Sequence, residues 1–194
     1  MGLLDSLARS AKQALKNAAK DAGNKAVKQL STKTETIKFA SIPANLDEMK
    51  ALPEATLDTP FKTAALTICA LCTYAENKDA GREMLNFLKG PQPMSPMEEQ
   101  FISNRFMDGK KYIPRSFFKG AEPSNDYTPT EYSVAVSTNP YTYKTEGYAS
   151  LYLTSGGADS PREIKLRKKG EQWFLWEQYV LSDIRKPKSE DPWA

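Results

Sequence analysis

The residues of this chain whose types and spacing could most directly do chemistry are two cysteines, Cys69 and Cys72, in the run ALTICALCTYA. A C-x-x-C pair can be a redox dithiol or half of a zinc site. The sequence has no third cysteine and no histidine, so the pair cannot close a four-ligand zinc site by itself. On a helix the two thiols are neighbours on one face, and the residues around them are apolar. We therefore predict that they pack in the core of a protein from a reducing cytoplasm, with redox chemistry as the less favoured alternative.

The absence of histidine limits the chemistry open to this chain more than any other single feature. It removes histidine-based general acid–base catalysis, histidine-activated nucleophiles and histidine-ligated metal sites. An enzyme with this sequence would depend on carboxylates, lysine, tyrosine, cysteine or a cofactor. The sequence contains no glycine-rich phosphate loop and no carboxylate pair of distinctive spacing. We therefore expect no catalytic residues, no cofactor and no metal, and we favour a non-enzymatic protein.

Aromatic residues in the second half of the chain form one candidate ligand site. If a curved sheet leaves a cavity beneath helices, tyrosines and tryptophans would line it and a carboxylate would anchor a ligand. The candidate lining residues are Tyr132, Tyr148, Tyr152, Trp173, Trp176 and Glu177. Aromatic residues are also ordinary strand formers that pack in cross-strand pairs, and we favour that simpler interpretation.

Residues 1–30 follow the pattern of a basic amphipathic helix that is separate from the rest of the chain. Residues 1–38 hold eight Lys/Arg and three Asp/Glu, a net charge of +5, which leaves −2 for the remainder of a chain whose total is +3. At 100° per residue one stripe is apolar. It carries alanines and the residues that we call the leucine face, Leu3, Leu4, Leu7 and Leu15. The opposite side is basic and carries Arg9, Lys12, Lys16 and Lys20.

This segment has three candidate docking partners. A basic face opposite a leucine-bearing face suits an anionic membrane surface. The same faces suit a groove on a protein partner, including a second copy of the chain in a homo-oligomer. The third candidate is the segment's own domain. The sequence has no apolar run of 18 residues that would predict a membrane-spanning helix.

The rest of the chain predicts one α+β domain over residues 38–188, with a linker at 31–37 and a polar tail at 189–194. Helical patterns come first, at Leu46–Leu52, from Thr59 to Ala75, at Asp79–Lys89, and from Ser95 to about Met107. After a short strand pattern at 36–40, the main strand patterns follow these helices, at Tyr132–Thr138, at Tyr148–Ser155 and in both arms of a hairpin within Pro161–Pro187. This order predicts N-terminal helices followed by a curved antiparallel sheet of about four strands.

The hairpin is the densest strand signal of the chain. Residues 172–181 of its second arm carry apolar side chains on both faces, which is typical of a central strand covered on both sides. The basic run in its first arm, over residues 165–169, could mark a nucleic-acid footprint. No aromatic residue is interleaved with that run, and lysines also guard sheet edges, so we do not expect nucleic acid as a partner.

Three stretches of the sequence carry a family resemblance: LPEATLDTPFKTAALTICALCTYAENKDAGREMLNFLKGPQPMSP, NPYTYKTEGYASLYL and ADSPREIKLRKKGEQWFLWEQYVLSDIRKPKSEDPWA. They resemble an uncharacterised protein family of anaerobic Gram-positive, mostly gut, bacteria, over about residues 38–194. The resemblance implies a bacterial, intracellular protein with no assigned activity, so no catalytic residue can be carried over. The order of helices and then a curved sheet is also loosely similar to the cystatin and nuclear-transport-factor folds, which host binders, enzymes and oligomerisation modules alike.

Together these observations predict a non-catalytic interaction or adaptor module. Residues 1–30 would attach it to a protein partner or to an anionic membrane surface, which places it in the cytoplasm or at the periphery of the inner membrane. The alternative is a small-molecule-binding or enzyme domain that uses the Tyr/Trp-lined cavity. An open pocket with a buried Glu177 or another perturbed carboxylate would favour that alternative.

Overall fold

The computed structural model describes Gln13 and residues 32–193. The predicted N-terminal helix, with its leucine face and its basic face, therefore lies outside the described residues, apart from Gln13, which is helical and exposed.

Within residues 32–193 the chain forms five α-helices. They are α1 Leu46–Lys50, α2 Pro60–Glu76, α3 Lys78–Lys89, α4 Pro96–Arg105 and α5 Tyr112–Arg115. Two of the predicted helix starts are confirmed by their capping contacts. The Thr59 side chain accepts a hydrogen bond from the Lys62 backbone N–H at the start of α2. Ser95 and Glu98 form a reciprocal capping box at the start of α4.

The same residues form one antiparallel sheet of six strands. The strands are β1 Thr34–Lys38, β2 Phe118–Lys119, β3 Glu131–Ser137, β4 Tyr148–Leu153, β5 Arg162–Lys169 and β6 Gln172–Gln178. Their order is β1-β3-β4-β5-β6, with β2 paired to β3, and the sheet is curved and unclosed. The predicted α+β class is confirmed. Besides the four main strands that the sequence predicts, the sheet holds β1, which overlaps the short strand pattern at 36–40, and β2, which has only two residues and no strand alternation.

Helix α2 lies against the inner face of the sheet and is the centre of the core. Fourteen of its 17 residues are buried, including both cysteines, so the core placement predicted for Cys69 and Cys72 is confirmed. The sheet presents aliphatic side chains to this helix, and alternate residues along each strand face it. These buried side chains are Val134, Val136, Ala149, Leu151, Leu153, Ile164, Leu166 and Leu175.

Strand β6 is an edge strand, which corrects the prediction of a central strand. It is the last strand in the sheet order and pairs with β5 alone among the described residues. The two apolar faces of β6 are not covered by two layers of structure, as the sequence pattern indicated. Leu175 faces the core, whereas Phe174 and Trp176 lie on the outer side, where Arg167 and the chain at Gly90 contact them.

Residues 108–130 form a long connecting segment whose aromatic side chains pack into the core. Tyr112, Phe117, Phe118 and Tyr127 are all buried. The rings of Tyr112 and Tyr127 stack with centroids 5.3 Å apart. The Tyr127 hydroxyl donates a hydrogen bond of 2.6 Å to the carbonyl of Arg185, and this bond ties the segment to the C-terminal part of the chain.

Candidate functional site

An open apolar groove lies between helix α4 and the outer edge of strand β6, and we call it the α4–β6 groove. Its cavity holds about 320 Å³. The side chains that line it come from α3, the connector after α3, α4, the second half of β6 and the residue that follows β6. They are Leu85, Lys89, Met94, Met97, Glu98, Phe101, Ile102, Leu175, Trp176, Glu177, Gln178 and Tyr179.

Helix α4 supplies the outer wall of the groove. Ile102 is buried against the core, whereas Met97 and Phe101, one helical turn apart, are 82% and 43% exposed. The connector that positions α4 is held by a hydrogen bond of 2.9 Å from the Met94 backbone N–H to the Asn86 side-chain oxygen. Two large apolar side chains are thus fixed on a well-capped helix with little covering them.

The second half of β6 supplies the opposite wall. The outer edge of its first half is occupied, since the Trp173 N–H donates to the Leu57 carbonyl at 2.8 Å and the Trp173 carbonyl accepts from Thr63 Oγ1 at 2.7 Å. Further along, the residues from Leu175 onward open onto the groove. A register shift between β5 and β6 makes Trp176 the extra residue of a bulge.

An ion pair closes one end of the groove. Lys89 is buried, and its Nζ lies 2.6 Å from Glu98 Oε1 and donates at 3.4 Å to the Trp176 carbonyl. Burial pushes the pKa of Glu98 upward, but hydrogen bonds from Lys89 and Ser95 outweigh it and hold that pKa below its ordinary value. Glu98 therefore stays ionised and serves as the counter-charge of a buried ammonium group.

The other end of the groove has a polar rim around Glu177. Its carboxylate accepts hydrogen bonds from Lys165 Nζ at 2.9 Å and from the Tyr179 hydroxyl at 2.8 Å. These two bonds lower the pKa of Glu177, and the same contact raises the pKa of Tyr179. Since a general acid at neutral pH needs a raised carboxyl pKa, neither glutamate of the groove is tuned for that role.

A comparison with models of protein families identifies the family to which the chain belongs. A model described as "Domain of unknown function (DUF6935)" matches residues 41–188, which is more than half of the chain. The chain belongs to this family. The α4–β6 groove lies wholly within the matched residues of the DUF6935 domain, whereas residues 1–40 precede the match. No curated protein and no solved structure gives a significant match to the chain.

Three of the six residues predicted to line a ligand cavity come together in the DUF6935 domain, but on the outer face of the sheet. Tyr148, Trp176 and Glu177 line a shallow cavity of about 320 Å³ there, together with Tyr141 and Lys165. We call it the outer-face pocket. Its rings pack edge to face, with the centroids of Tyr148 and Trp176 5.9 Å apart.

The other three predicted residues lie elsewhere. Tyr132 packs edge-on against Phe118 with ring centroids 5.4 Å apart. Tyr152 pairs with Glu163 on the outer side of β4. Trp173 lies 6.2 Å from Tyr143 between ring centroids. The space beneath the helices is filled by α2 and aliphatic side chains, so the six residues do not share one cavity.

Aromatic rings do lie beside the basic run of the hairpin, which removes their expected absence as an argument against a nucleic-acid footprint. They come from neighbouring strands, where a linear pattern does not show them. The Arg167 guanidinium lies 4.7 Å from the Trp176 ring centroid and 5.5 Å from that of Tyr148. Arg167 thus occupies faces on which a base would stack, and nucleic acid stays a partner that we do not expect.

The two cysteine thiols are in an environment that disfavours the reactive thiolate form. Burial raises the pKa of Cys69 well above its ordinary value and that of Cys72 to about 12. A thiol with such a pKa is protonated at neutral pH and is a poor nucleophile and metal ligand. Among residues 32–193, no three Cys, Asp or Glu side chains come together as a metal site.

Sequence reasoning missed the groove residues Met97, Phe101 and Tyr179. A signal was present in α4, because Met97 and Phe101 lie one turn apart on a side of the helix that Ile102 does not share. What the pattern could not show is which of those sides would be covered. That depends on contacts between residues far apart in the chain, such as Lys89 with Trp176.

Proposed function

We propose that this protein is a non-catalytic interaction module whose DUF6935 domain holds the apolar face of an amphipathic helix in the α4–β6 groove. The observation that supports this proposal is the exposure of Met97, Phe101 and Tyr179 around one apolar groove. Exposed apolar surface concentrated in one place is typical of interaction sites. Helix-in-groove binding uses such a surface through side chains spaced three and four residues apart.

Residues 1–30 are the attachment element of this module. Their net positive charge and leucine face suit an anionic membrane surface, where apolar burial and electrostatic attraction act together. Among the described residues no helix has the length and apolar character needed to cross a bilayer. We place the protein in the bacterial cytoplasm, at the periphery of the inner membrane, in line with the gut-bacterial family that the sequence resembles.

Vesicle co-sedimentation of the full chain tests the attachment. The wild type should pellet with anionic vesicles and not with neutral ones. The double substitution Leu3→Glu/Leu7→Glu should abolish pelleting because it places carboxylates on the leucine face. The matched control Ser6→Glu/Gln13→Glu adds the same charge on the polar side and should retain most of the binding. Equal pelleting of the two double variants would contradict a role for the leucine face.

A second candidate function is small-ligand binding at the outer-face pocket. The convergence of Tyr148, Trp176 and Glu177 with Lys165 favours it, since a few polar groups among aromatic rings is the usual composition of such sites. A fragment screen on protein labelled with fluorotryptophan tests it. Ligands of this pocket should shift the resonance of Trp176 and leave that of the exposed Trp193 in place. Fragments that shift neither resonance would exclude the pocket.

A further inference from the structure

We propose that the leucine face docks in the α4–β6 groove of its own chain, so that groove and membrane compete for the same leucines. This inference rests on the proposed function, because it names the helix that the groove holds. Residues 1–30 would then act as a latch with two states. In the docked state they cover the groove, and in the released state the groove and the leucine face are both exposed.

The groove has the properties of a surface that is normally covered. Met97, Phe101 and Tyr179 present apolar area to solvent around one groove, and within residues 32–193 no strand pairs with the outer edge of β6. Proteins protect such edges by laying a helix or a loop over them. The charged groups of the groove are already neutralised within the domain, as Lys89 pairs with Glu98 and Glu177 with Lys165. An apolar helix face can therefore enter without meeting an unpaired charge.

The N-terminal segment enters the domain at β1, on the sheet edge opposite β6. Lys33, next to the start of β1, lies with its Nζ 5.3 Å from the Phe61 ring centroid in the first turn of α2. Thr63, in the same turn, donates its hydroxyl to the Trp173 carbonyl at 2.7 Å. The Lys33 side chain thus reaches the end of the domain where β6 begins, although the four strand spacings from β1 to β6 amount to about 19 Å across the sheet. The groove lies further along β6.

The length of residues 1–31 suffices to reach the groove. From Trp173 to Tyr179 the strand advances about 20 Å. Residues 23–31 can span up to about 30 Å when extended, and a helix of residues 1–22 would be about 33 Å long. A covalent link of this length holds the leucine face at a roughly millimolar effective concentration, so even weak contacts in the groove are populated.

Orientation follows from the distribution of side chains. With the leucine face in the groove, Arg9, Lys12, Lys16 and Lys20 would point to solvent on the opposite side of the helix. Membrane binding needs the same four leucines, so one segment cannot occupy both places at once. If about nine molecules in ten are latched, the apparent membrane affinity is about tenfold weaker than that of the free segment.

Groove substitutions in the full chain test the competition. Met97→Glu and Phe101→Glu should each open the latch and raise the affinity for anionic vesicles severalfold. The added negative charge alone would weaken binding to an anionic surface, so an increase cannot come from charge. The control Met107→Glu carries the same change at a residue that is 57% exposed and outside the groove, and it should not increase binding. Unchanged or weaker binding of both groove variants would overturn the latch.

Methionine-methyl NMR detects docking of the leucine face in the groove without vesicles. It therefore distinguishes failure of this docking from failure of membrane attachment. Leu3→Glu/Leu7→Glu should shift the methyl resonances of Met94 and Met97 and leave those of the buried Met49 and Met84 in place. Ser6→Glu/Gln13→Glu should shift none of them. If these shifts appear although no variant pellets with vesicles, the latch stands and the membrane attachment fails. Absence of the Met94 and Met97 shifts, or shifts that vary with protein concentration as docking into a second copy would, overturns docking within the chain.

Discussion

The Lys89 ammonium group lies 2.6 Å from the Glu98 carboxylate and 3.4 Å from the Trp176 carbonyl oxygen. One buried cation thereby joins α3, α4 and β6, the three elements that surround the groove. Its side chain is only 8% exposed, and a buried charge is tolerated only when it is paired. The position of α4 against β6 therefore depends on this pair.

Glu98→Gln should lower the free energy of unfolding by about 1–2 kcal/mol, because the amide can accept a hydrogen bond from Lys89 but cannot neutralise it. Urea unfolding followed by tryptophan fluorescence measures the change. Glu99→Gln is the matched control on the same helix. It removes exposed ion pairs with Lys78 and Arg82 and should cost less than about 1 kcal/mol. Equal losses in the two variants would mean that the Lys89–Glu98 pair has no special role.

The same pair predicts a dependence of stability on pH. Because folding holds the pKa of Glu98 below its ordinary value of 4.5, ionised Glu98 stabilises the fold fully above that value. The contribution is lost as the pH falls through the lower pKa of the folded state. The difference in unfolding free energy between the wild type and Glu98→Gln should thus be full at about pH 6 and shrink toward zero in more acidic solution. A difference that stays constant down to the acid range would refute this account.

Gly81→Ala should destabilise the domain, although alanine usually strengthens a helix by about 1 kcal/mol relative to glycine. A Cβ at position 81 would overlap the backbone of Tyr74, where the start of α3 meets the end of α2. We expect a loss of about 1–3 kcal/mol from this overpacking, measured by thermal or urea unfolding. Glu83→Ala, at an exposed position of the same helix, should change stability little. A stabilised Gly81→Ala variant would show that α2 and α3 are less closely packed.

The cysteines should resist alkylation in the native protein at neutral pH. Both are buried, and burial raises both pKa values, so the reactive thiolate is scarce and inaccessible. Mass spectrometry after iodoacetamide treatment should find no modification without denaturant and two modified residues in urea. Rapid modification of the native protein would instead favour the redox alternative for the C-x-x-C pair.

Those parts of the fold that local rules determine could be predicted from the sequence. Thr59-Pro60 marks the start of α2, the Ser95 capping box marks the start of α4, and alternation in β4 and β5 marks their buried faces. Each signal depends on residues within a few positions of one another.

The place of β6 and the groove could not be predicted in the same way. A strand with apolar residues on both faces has the same sequence pattern whether a second layer, a helix or an arginine covers its outer face. In β6 it is Arg167 that covers Trp176. The candidate pocket failed to form as one cavity for a related reason. Alternation gives the face on which Tyr148 lies, but not whether that face turns toward the helices or toward solvent.

A spin label on the N-terminal segment tests the account most directly. Gln13, which is helical and exposed, is replaced by cysteine and labelled with a nitroxide, since Cys69 and Cys72 are buried and should not react. In dilute full-length protein the label should broaden the methyl resonances of Met94 and Met97 most strongly, and Leu3→Glu/Leu7→Glu should remove this broadening. Methyl resonances of Met94 and Met97 that are no more broadened than those of Met49 and Met107 would contradict docking of the leucine face in the α4–β6 groove.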